Sequence, residues 1–420
     1  MAREIKDSGI KWMGTIPVDW EISPVFKYFH DKIFLNLDYE FRYAFKFNYG
    51  TLKYKNELGD IDFYRNTYLK YIKVKKNDII INGLNLNYDF VSQRVAITPQ
   101  NGIITSAYIA MRPYGEQNTN YFCYLFKSMD NIKLFHGMGK GIRLTLSFDE
   151  LKRKRICVPR LPEQKTIADF LDKKCAEIDG LLADLEAEVK TLAEYKKSII
   201  AETVTRGLNP NAPMKQSGIP WAETIPEHWL VEPIYTKFHD CIYKNLDYEY
   251  QKAFKFNYGT LKYKDEAGDL SLYKATYINY SKVKKRDIII NGLNLNYDFI
   301  SQRVAITPED GIITSAYIAL RPLKGVNSEY FNYLFKAMDN MKLFHGMGKG
   351  IRLTLSFDEL KRVKIPIPST QEQVKITNYL NWKCAAIDQS IADKQTQIET
   401  LKAYKSSLIY EYVTGKKQVI

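Results

Sequence analysis

The segment from residue 85 to residue 94 carries side chains that can read nucleic-acid bases. These are Asn85, Asn87, Tyr88, Gln93 and Arg94. Asparagine and glutamine amides can pair with adenine edges and arginine with guanine, each with about 1–3 kcal/mol of discrimination. An ordinary polar turn between two strands would also use these residue types. We favour base reading because residues 85–90 recur unchanged at 294–299, while nearby surface positions differ.

A second group of candidates lies in a glycine-rich basic loop. Lys140-Gly141-Ile142-Arg143 combines two cations with a glycine, so the backbone of this loop can approach phosphates closely. A flexible surface loop would have the same composition, and both interpretations stay open. The corresponding candidates in the second half of the chain are Asn294, Asn296, Tyr297, Gln302, Arg303, Lys349 and Arg352.

The sequence offers no convincing catalytic motif beside these residues. Residues 85–88 lack the prolines of an adenine methyltransferase loop, and the glycines of residues 137–141 follow no clear strand of a βαβ unit. Glu163-Gln164-Lys165 resembles half of a nuclease motif, but its twin has Val374 in place of the lysine. We therefore predict a chain without catalytic residues, a metal site or a cofactor of its own.

The candidate residues occur twice because the chain is an internal repeat. A shift of 209 residues, which carries Trp20 to Trp229, aligns the two halves without insertion or deletion. Such a repeat is far longer than the roughly 20–50 residues of a solenoid unit, so each copy can form a domain with a connector. Two equivalent domains favour a partner with two-fold symmetry, such as duplex DNA. Identical stretches pair 44–55 with 253–264, 78–90 with 287–299, and 133–152 with 342–361.

The composition also favours a polyanionic partner. The 420 residues include 61 Lys+Arg and 48 Asp+Glu, a net charge of +13, and 45% are hydrophobic, which is enough for globular cores. A basic surplus suits nucleic acid because each neutralised phosphate releases counterions. Five cysteines without a Cys-x-x-Cys pair predict neither a zinc site nor disulfides, and Cys175 and Cys384 are expected to be buried. Without a leader or a long apolar run, we expect a cytoplasmic protein with no membrane partner.

The first part of each copy is typical of an α+β domain. Residues 78–83, 94–99 and 103–110 are predicted as strands. Residues 121–129 are predicted as a helix because Phe122, Leu125, Phe126 and Met129 share one face.

The second part of each copy is predicted to be a long helix. Apolar residues recur about every 3.5 residues from Leu171 to Ile199 and again from Leu380 to Leu408. A helix of about 40 residues is roughly 60 Å long and cannot bury this stripe in a small domain. The two helices should therefore pack on each other as a coiled coil, with Lys394 at one seam position fixing the register.

These patterns predict an α+β fold with two pseudo-symmetric α/β domains separated by two long helices that form an antiparallel coiled coil. The predicted parts are the first α/β domain at 1–160, the central helix at 161–206, the second α/β domain at 207–369 and the C-terminal helix at 370–420.

The same landmarks resemble the specificity (S) subunits of type I restriction–modification systems. The residues that carry the resemblance are 8–20, Leu161-Pro162-Glu163-Gln164, Ile178-Asp179, 401–409 and 413–416. The resemblance implies a non-catalytic chain whose two domains each read half of a split target in double-stranded DNA, while the helices set the gap. It also implies that two methyltransferase (M) subunits dock on the helices, bind S-adenosylmethionine and methylate adenine. Restriction (R) subunits can join such complexes.

One departure from the family concerns the two recognition domains, which usually differ and here are near-copies. Three alternatives remain open. The chain could be a specificity subunit of a related methylase system outside type I, a self-sufficient DNA-processing enzyme, or a coiled-coil scaffold that does not bind DNA. Because both domains carry the same candidate residues, we predict an interrupted palindrome as the target. Domains that face one side of B-DNA favour half-sites about 10 bp apart, with a gap of roughly six or seven base pairs.

A last expectation concerns apolar residues that lie off the coiled-coil stripe. They are Leu181, Ile200, Ile376 and Ile409. We expect an M subunit on each helix to cover them. The other interpretation is that they pack under the recognition domains.

Overall fold

The computed structural model of the chain describes residues 3–31, 34–55, 61–88, 93–241, 243–264, 270–297 and 302–419. Residues 89–92 and 298–301, which belong to the predicted base-reading segments, lie outside this described part. The chain forms two compact units. Unit 1 consists of residues 1–186 and 396–420, and unit 2 of residues 187–395.

The strands of unit 1 are short. They are β1 (Ile5–Asp7), β2 (Thr15–Pro17), β3 (Glu21–Pro24), β4 (Phe29–His30), β5 (Phe45–Asn48), β6 (Thr51–Tyr54), β7 (Ile72–Val74), β8 (Ile79–Ile81), β9 (Val95–Ile97), β10 (Gly102–Ile104), β11 (Ile109–Pro113) and β12 (Arg155–Val158). Its helices are α1 (Arg65–Tyr68), α2 (Thr119–Asn131), α3 (Phe148–Leu151) and the first part of α4 (Leu161–Arg206).

Unit 2 repeats this order. Its strands are β13 (Met214–Gln216), β14 (Thr224–Pro226), β15 (Leu230–Pro233), β16 (Phe238–Asp240), β17 (Phe254–Asn257), β18 (Thr260–Tyr263), β19 (Ser281–Val283), β20 (Ile288–Ile290), β21 (Val304–Ile306), β22 (Gly311–Ile313), β23 (Ile318–Pro322) and β24 (Lys364–Ile367). Its helices are α5 (Lys274–Tyr277), α6 (Ser328–Asn340), α7 (Phe357–Leu360), the first part of α8 (Thr370–Val413) and the last part of α4. The last part of α8 belongs to unit 1.

A four-stranded antiparallel sheet lies at the centre of each unit. Its order in unit 1 is β4-β11-β8-β9, and in unit 2 it is β16-β23-β20-β21. Successive side chains of a strand point to opposite faces, so Ile79 and Ile81 face the core that contains α2, while Ile80 faces a second core with Phe45. Burial on both faces explains why β8 is an uninterrupted isoleucine run.

The sequence predictions for this region are confirmed with one exception. Residues 79–81 and 95–97 are strands, and α2 buries the four predicted apolar side chains. The single strand predicted at 103–110 is wrong, because the chain turns after β10. Thr105 accepts hydrogen bonds from Ala107 N (3.4 Å) and Tyr108 N (3.3 Å), and this serine/threonine-type turn sends β10 to β7 and β11 to β8.

The long helices α4 and α8 contain 46 and 44 residues. In unit 2, Lys196 Nζ lies 2.6 Å from an Asp388 carboxylate oxygen, and Lys394 pairs with Glu188. As residue numbers rise along α4, the numbers of their partners in α8 fall, which confirms the antiparallel pairing. In unit 1, Lys405 likewise pairs with Asp179 at 2.6 Å.

Most of the apolar residues off the stripe have a cover inside their own unit. Ile409 is buried in the main core of unit 1, and Ile200 and Ile376 in that of unit 2. The expectation that an M subunit covers these three is therefore wrong, because the recognition domains pack over them. Leu181 remains 54% exposed.

Two further expectations can be compared with the described part of the chain. All five cysteines are free and buried, as expected for Cys175 and Cys384. Within the described ranges, no helix combines the length and the apolar character that a membrane crossing requires.

Candidate nucleic-acid interface

The first group of predicted residues lies between β8 and β9, and Arg94 holds residues 82–85 of this segment in place. The Arg94 guanidinium donates to the backbone oxygens of Asn82 (3.0 Å), Leu84 (2.6 Å) and Asn85 (3.3 Å). Its backbone N–H donates to Asp130 at the end of α2 (2.9 Å). Arg94 thus shapes the loop from within, so contact with a base would compete with these bonds. Its predicted base-reading role stays a prediction.

Asn85 also has a structural reason for its identity. Its φ angle is 51°, a left-handed conformation that asparagine tolerates better than most residues. The following residues, Leu86–Tyr88, form a 3-10 turn in which Leu86 is buried and Asn87 and Tyr88 are exposed. The side chains of Asn87 and Tyr88 are therefore available to a partner.

The glycine-rich loop forms a small hairpin against this turn. Lys140 and Thr145 exchange backbone hydrogen bonds of 3.0 and 2.9 Å. Leu86 N donates to Leu144 O (3.0 Å), and Leu146 N donates to Gly83 O (2.9 Å). A Cβ on Gly83 would lie 2.5 Å from Leu146 O, so only glycine permits this approach.

The structure therefore brings the two predicted groups together. Asn87 Nδ2 lies 3.4 Å from Ile142 O at the hairpin tip, and Lys140, Arg143 and Gln93 are exposed. We call the exposed surface of residues 85–88, 93 and 140–143, with its equivalent at 294–297, 302 and 349–352, the loop patch. A surface that combines amides, an aromatic hydroxyl and cations has the chemistry of a DNA-reading site.

Unit 2 repeats this geometry closely. The Arg303 guanidinium donates to the backbone oxygens of Asn291 (3.0 Å), Leu293 (2.6 Å) and Asn294 (3.2 Å), and Arg303 N donates to Asp339 (2.8 Å). Asn296 Nδ2 lies 3.4 Å from Ile351 O. Tyr297, Gln302, Lys349 and Arg352 are exposed, like their counterparts in unit 1.

The lysines of the loop patch are already paired with carboxylates. Lys140 Nζ lies 2.8 Å from Glu150 Oε1, and this hydrogen bond lowers the pKa of Glu150. Lys349 is 2.9 Å from Glu359 Oε1. The Ser356 hydroxyl and then Lys349 lower the pKa of Glu359 to about 2. Both carboxylates are charged at neutral pH, so a phosphate must compete with them for these lysines.

Two equivalent pairs of exposed side chains beside the predicted residues were not among the candidates chosen from the sequence. Ile142 and Ile351, at the hairpin tips, are 97% and 98% exposed. Tyr49 and Tyr258, in the turn between β5 and β6 and its equivalent, are 72% and 71% exposed. Both pairs belong to the stretches that are identical in the two copies, and that identity was the available signal.

The sequence of the chain is similar to a known family and to a protein of that family. The family model described as type I restriction modification DNA specificity domain matches residues 18–191 and 235–400. A putative type I restriction enzyme MjaX specificity subunit from Methanocaldococcus jannaschii is 24% identical over 376 residues, which cover 87% of this chain and 80% of that protein.

Two solved structures are similar in their chain course. One, from work on complex assembly and conformational transition of the type I R-M system, has a TM-score of 0.69 at 11% identity and covers 96% of this chain and 99% of its own. The HsdS subunit from Thermoanaerobacter tengcongensis has a TM-score of 0.47 at 12% identity, with coverages of 96% and 98%. At this level of identity, the first similarity concerns the fold alone.

Proposed function

The chain belongs to the family of type I restriction modification DNA specificity domains, and we propose that it directs a partner DNA methyltransferase to a bipartite target. The observation that carries the proposal is the loop patch, which occurs twice with the same residues and the same backbone geometry. Each patch would read one half-site through Asn87, Tyr88 and Gln93 or their equivalents, while Lys140 and Lys349 contact phosphates. The chain itself would be non-catalytic.

We further propose that the target is an interrupted palindrome. Two patches with the same side chains prefer the same bases, and symmetry of the protein is mirrored by symmetry of the DNA. The two helices would set the distance between the half-sites. Insertion of one heptad into both helices should lengthen or abolish the recognised gap. An unchanged gap would contradict this ruler role.

The proposed catalytic partners are two M subunits that bind S-adenosylmethionine and methylate adenine, with R subunits as further members of the complex. Exposed apolar side chains on the long helices support a docking surface there. The equivalent residues Tyr195 and Tyr404 are 45% and 54% exposed. Native mass spectrometry of the co-expressed proteins tests the stoichiometry, and a complex with one M subunit or none would contradict two equivalent docking surfaces.

The decisive experiment is to map methylated bases in a host that expresses the chain with its M partner. We expect methylated adenine in one interrupted palindrome. A target with two unrelated halves would overturn the symmetry argument. A methyltransferase assay on the purified chain alone tests the non-catalytic assignment. Failure of the complex to retard any duplex in a gel shift would favour a scaffold that does not bind DNA.

A further inference from the structure

Tyr49 and Tyr258 occupy a backbone conformation that disfavours tyrosine. β5 and β6 are joined by a two-residue turn, Tyr49-Gly50, with φ angles of 43° and 73°. Its equivalent, Tyr258-Gly259, has φ angles of 44° and 74°. A hairpin turn with two positive φ angles strongly favours Asn-Gly, because asparagine tolerates the left-handed region and bulky residues do not.

Packing does not explain the tyrosine in either unit. Both rings are largely exposed. Across the described ranges of the chain, neither side chain takes part in a hydrogen bond, a ring contact or a cation–π contact. Tyr39 and Leu144 also have positive φ angles of 56° and 42°. Tyr39, however, is buried in a core, and Leu144 packs at the edge of one.

At another exposed position with a left-handed backbone, the two copies carry different residue types. Asn77 in unit 1 corresponds to Arg286 in unit 2, both with a φ angle of 72° and both exposed. Shared ancestry therefore does not by itself preserve a residue at such a position. The tyrosine is unchanged in both units although asparagine would fit the backbone better, which indicates that its side chain has a task outside the fold.

The neighbour of this tyrosine points to that task. Gly50 N donates to Gln93 O (2.9 Å), and Gly259 N donates to Gln302 O (2.9 Å). The turn therefore positions the tyrosine beside the glutamine of the loop patch. In unit 2, Tyr258 and Gln302 line one groove of about 560 Å³, which Lys196 and Lys197 of α4 also border.

We propose that Tyr49 and Tyr258 contact bases of the DNA target and contribute to its recognition. This inference rests on the proposed function. A tyrosine presents a phenol hydroxyl for hydrogen bonding and an apolar ring edge, and it brings no charge that would act equally on every phosphate. Its contribution should therefore appear in the preference for the target over random DNA.

The test is to replace the strained residue by the one that suits the turn. In the complex with M, Tyr49→Asn and Tyr258→Asn should each lower affinity for the methylation-mapped duplex about tenfold and leave random-duplex affinity nearly unchanged. The same substitutions should raise the midpoint of thermal unfolding by about 2–4 °C without DNA, because they relieve the left-handed tyrosine. Loss of binding together with a gain of stability separates a contact from a folding defect.

The matched control is Arg286→Asn, which relieves a left-handed residue outside the loop patch. It should raise stability in the same way without changing the ratio of target to random affinity. Unchanged target affinity of both tyrosine variants, or equal losses on random duplex, would overturn the proposed base contact. If the unmodified complex itself did not prefer the mapped duplex, the proposed function would fall as well, so the two failures are distinguishable.

Discussion

The contacts around Glu163 and Glu372, at the start of α4 and α8, differ between the two units, and we call this region the helix junction. In unit 1, Arg3 lies 2.9 Å from Asp19 and 2.5 Å from Glu163, and Trp20 Nε1 donates to Glu163 (3.1 Å). In unit 2 the arginine is replaced by Ala212, and His228 Nε2 lies 2.9 Å from Glu372. Trp229 Nε1 has no hydrogen-bond partner among the residues that the structure describes.

The loop patches of the two units show the opposite behaviour. Their exposed side chains are identical, and their internal hydrogen bonds agree within about a tenth of an ångström, as for Arg94 Nη2 to Asn85 O (3.3 Å) and Arg303 Nη2 to Asn294 O (3.2 Å). At the helix junction, the ion pairs of Arg3 in unit 1 are replaced by a His228–Glu372 contact in unit 2, and both units keep the same architecture. Exposed residues that did not change therefore indicate a requirement beyond folding.

The largest expected effect concerns the glycines that follow the two long helices. Gly415 has a φ angle of 71°, and a Cβ there would overlap Pro17 of unit 1. Gly415→Ala should destabilise unit 1 by about 2–3 kcal/mol, from left-handed strain and overpacking. Gly207→Ala should affect unit 2 less, because the added Cβ meets the movable Glu372 side chain at 3.1 Å and Trp229 at 3.2 Å.

Hydrogen exchange of peptides from each unit measures this difference, because each substitution reports on its own unit. Peptides of the other unit serve as the internal control. Equal destabilisation by the two alanines would show that the close approach of Gly415 to Pro17 has no energetic consequence.

The next effect tests the equivalence of the loop patches. Gln93→Ala and Gln302→Ala should each weaken binding to the target by about 10- to 100-fold, since a lost base contact is worth about 1–3 kcal/mol. The two losses should be equal, and Asn87→Ala and Asn296→Ala should behave as a second matched pair. Titration of target and random duplex at fixed salt measures both affinities.

Unequal losses for the two glutamines would contradict identical half-sites. Equal losses on target and random duplex would instead return these residues to a purely structural role. Arg94→Ala is the contrast, because it removes internal hydrogen bonds of the loop and should also increase hydrogen exchange in residues 82–88.

A smaller effect with a distinctive sign concerns the paired lysines. Glu150→Gln and Glu359→Gln remove the charges that compete with phosphate for Lys140 and Lys349, while glutamine can still cap the short helix. Affinity for random duplex should rise, whereas Lys140→Ala and Lys349→Ala should lower it and reduce the salt slope by about one per lost phosphate contact. If both kinds of variant weakened binding, the lysines would not contact phosphates.

The contacts of Glu359 with the Ser356 hydroxyl and then with Lys349 predict a dependence of stability on pH. The folded-state pKa of Glu359 is depressed to about 2. Charged Glu359 therefore stabilises the folded state fully at a pH above the ordinary glutamate pKa of 4.5, and this stabilisation is lost as the pH falls toward about 2. Glu359→Gln should remove this part of the acid-induced change in unit 2, as measured by hydrogen exchange of the loop 349–359. An unaltered acid profile would show that the contacts with Ser356 and Lys349 do not stabilise the charged form of Glu359.

The repeat could be predicted because the two halves of the sequence align directly at a shift of 209 residues. The strands with β-branched runs and the long helices could be predicted because each depends on a local sequence pattern. The break between β10 and β11 could not, because Thr105 in a run of apolar residues looks like a strand residue until its turn is formed. The cover of Ile200, Ile376 and Ile409 could not be decided between an M subunit and the recognition domains, because helical spacing identifies an apolar face and does not identify what covers it.

For the candidate site, the sequence predicts residue types and does not predict their tasks. Asn87 and Gln93 were selected by residue type and duplication and are exposed, as a partner contact requires, and their role as base contacts stays a prediction. The internal bonds of Arg94 could not be predicted, because an arginine that binds loop carbonyls has the same sequence signature as one that reads guanine. Tyr49 was not selected because its positive φ angle cannot be seen in the sequence.

The smallest effect returns to the junction at which the two units differ. Arg3→Ala should cost unit 1 only about 0.2–1 kcal/mol, because the ion pairs are partly exposed and water screens them. Arginine is charged at every working pH, and the hydrogen bond to Glu163 raises the pKa of Arg3 further. Transfer of the arrangement to unit 2 by Ala212→Arg with His228→Asp should stabilise that unit by a similar amount.

Neither change should alter the preference for target over random duplex, because the junction has drifted between the copies and the loop patches have not. Hydrogen exchange measures the stability of each unit, and titration with both duplexes measures the preference. A loss of preference in Arg3→Ala as large as in Gln93→Ala would break the comparison, because unchanged exposed residues would then no longer identify the recognition surface.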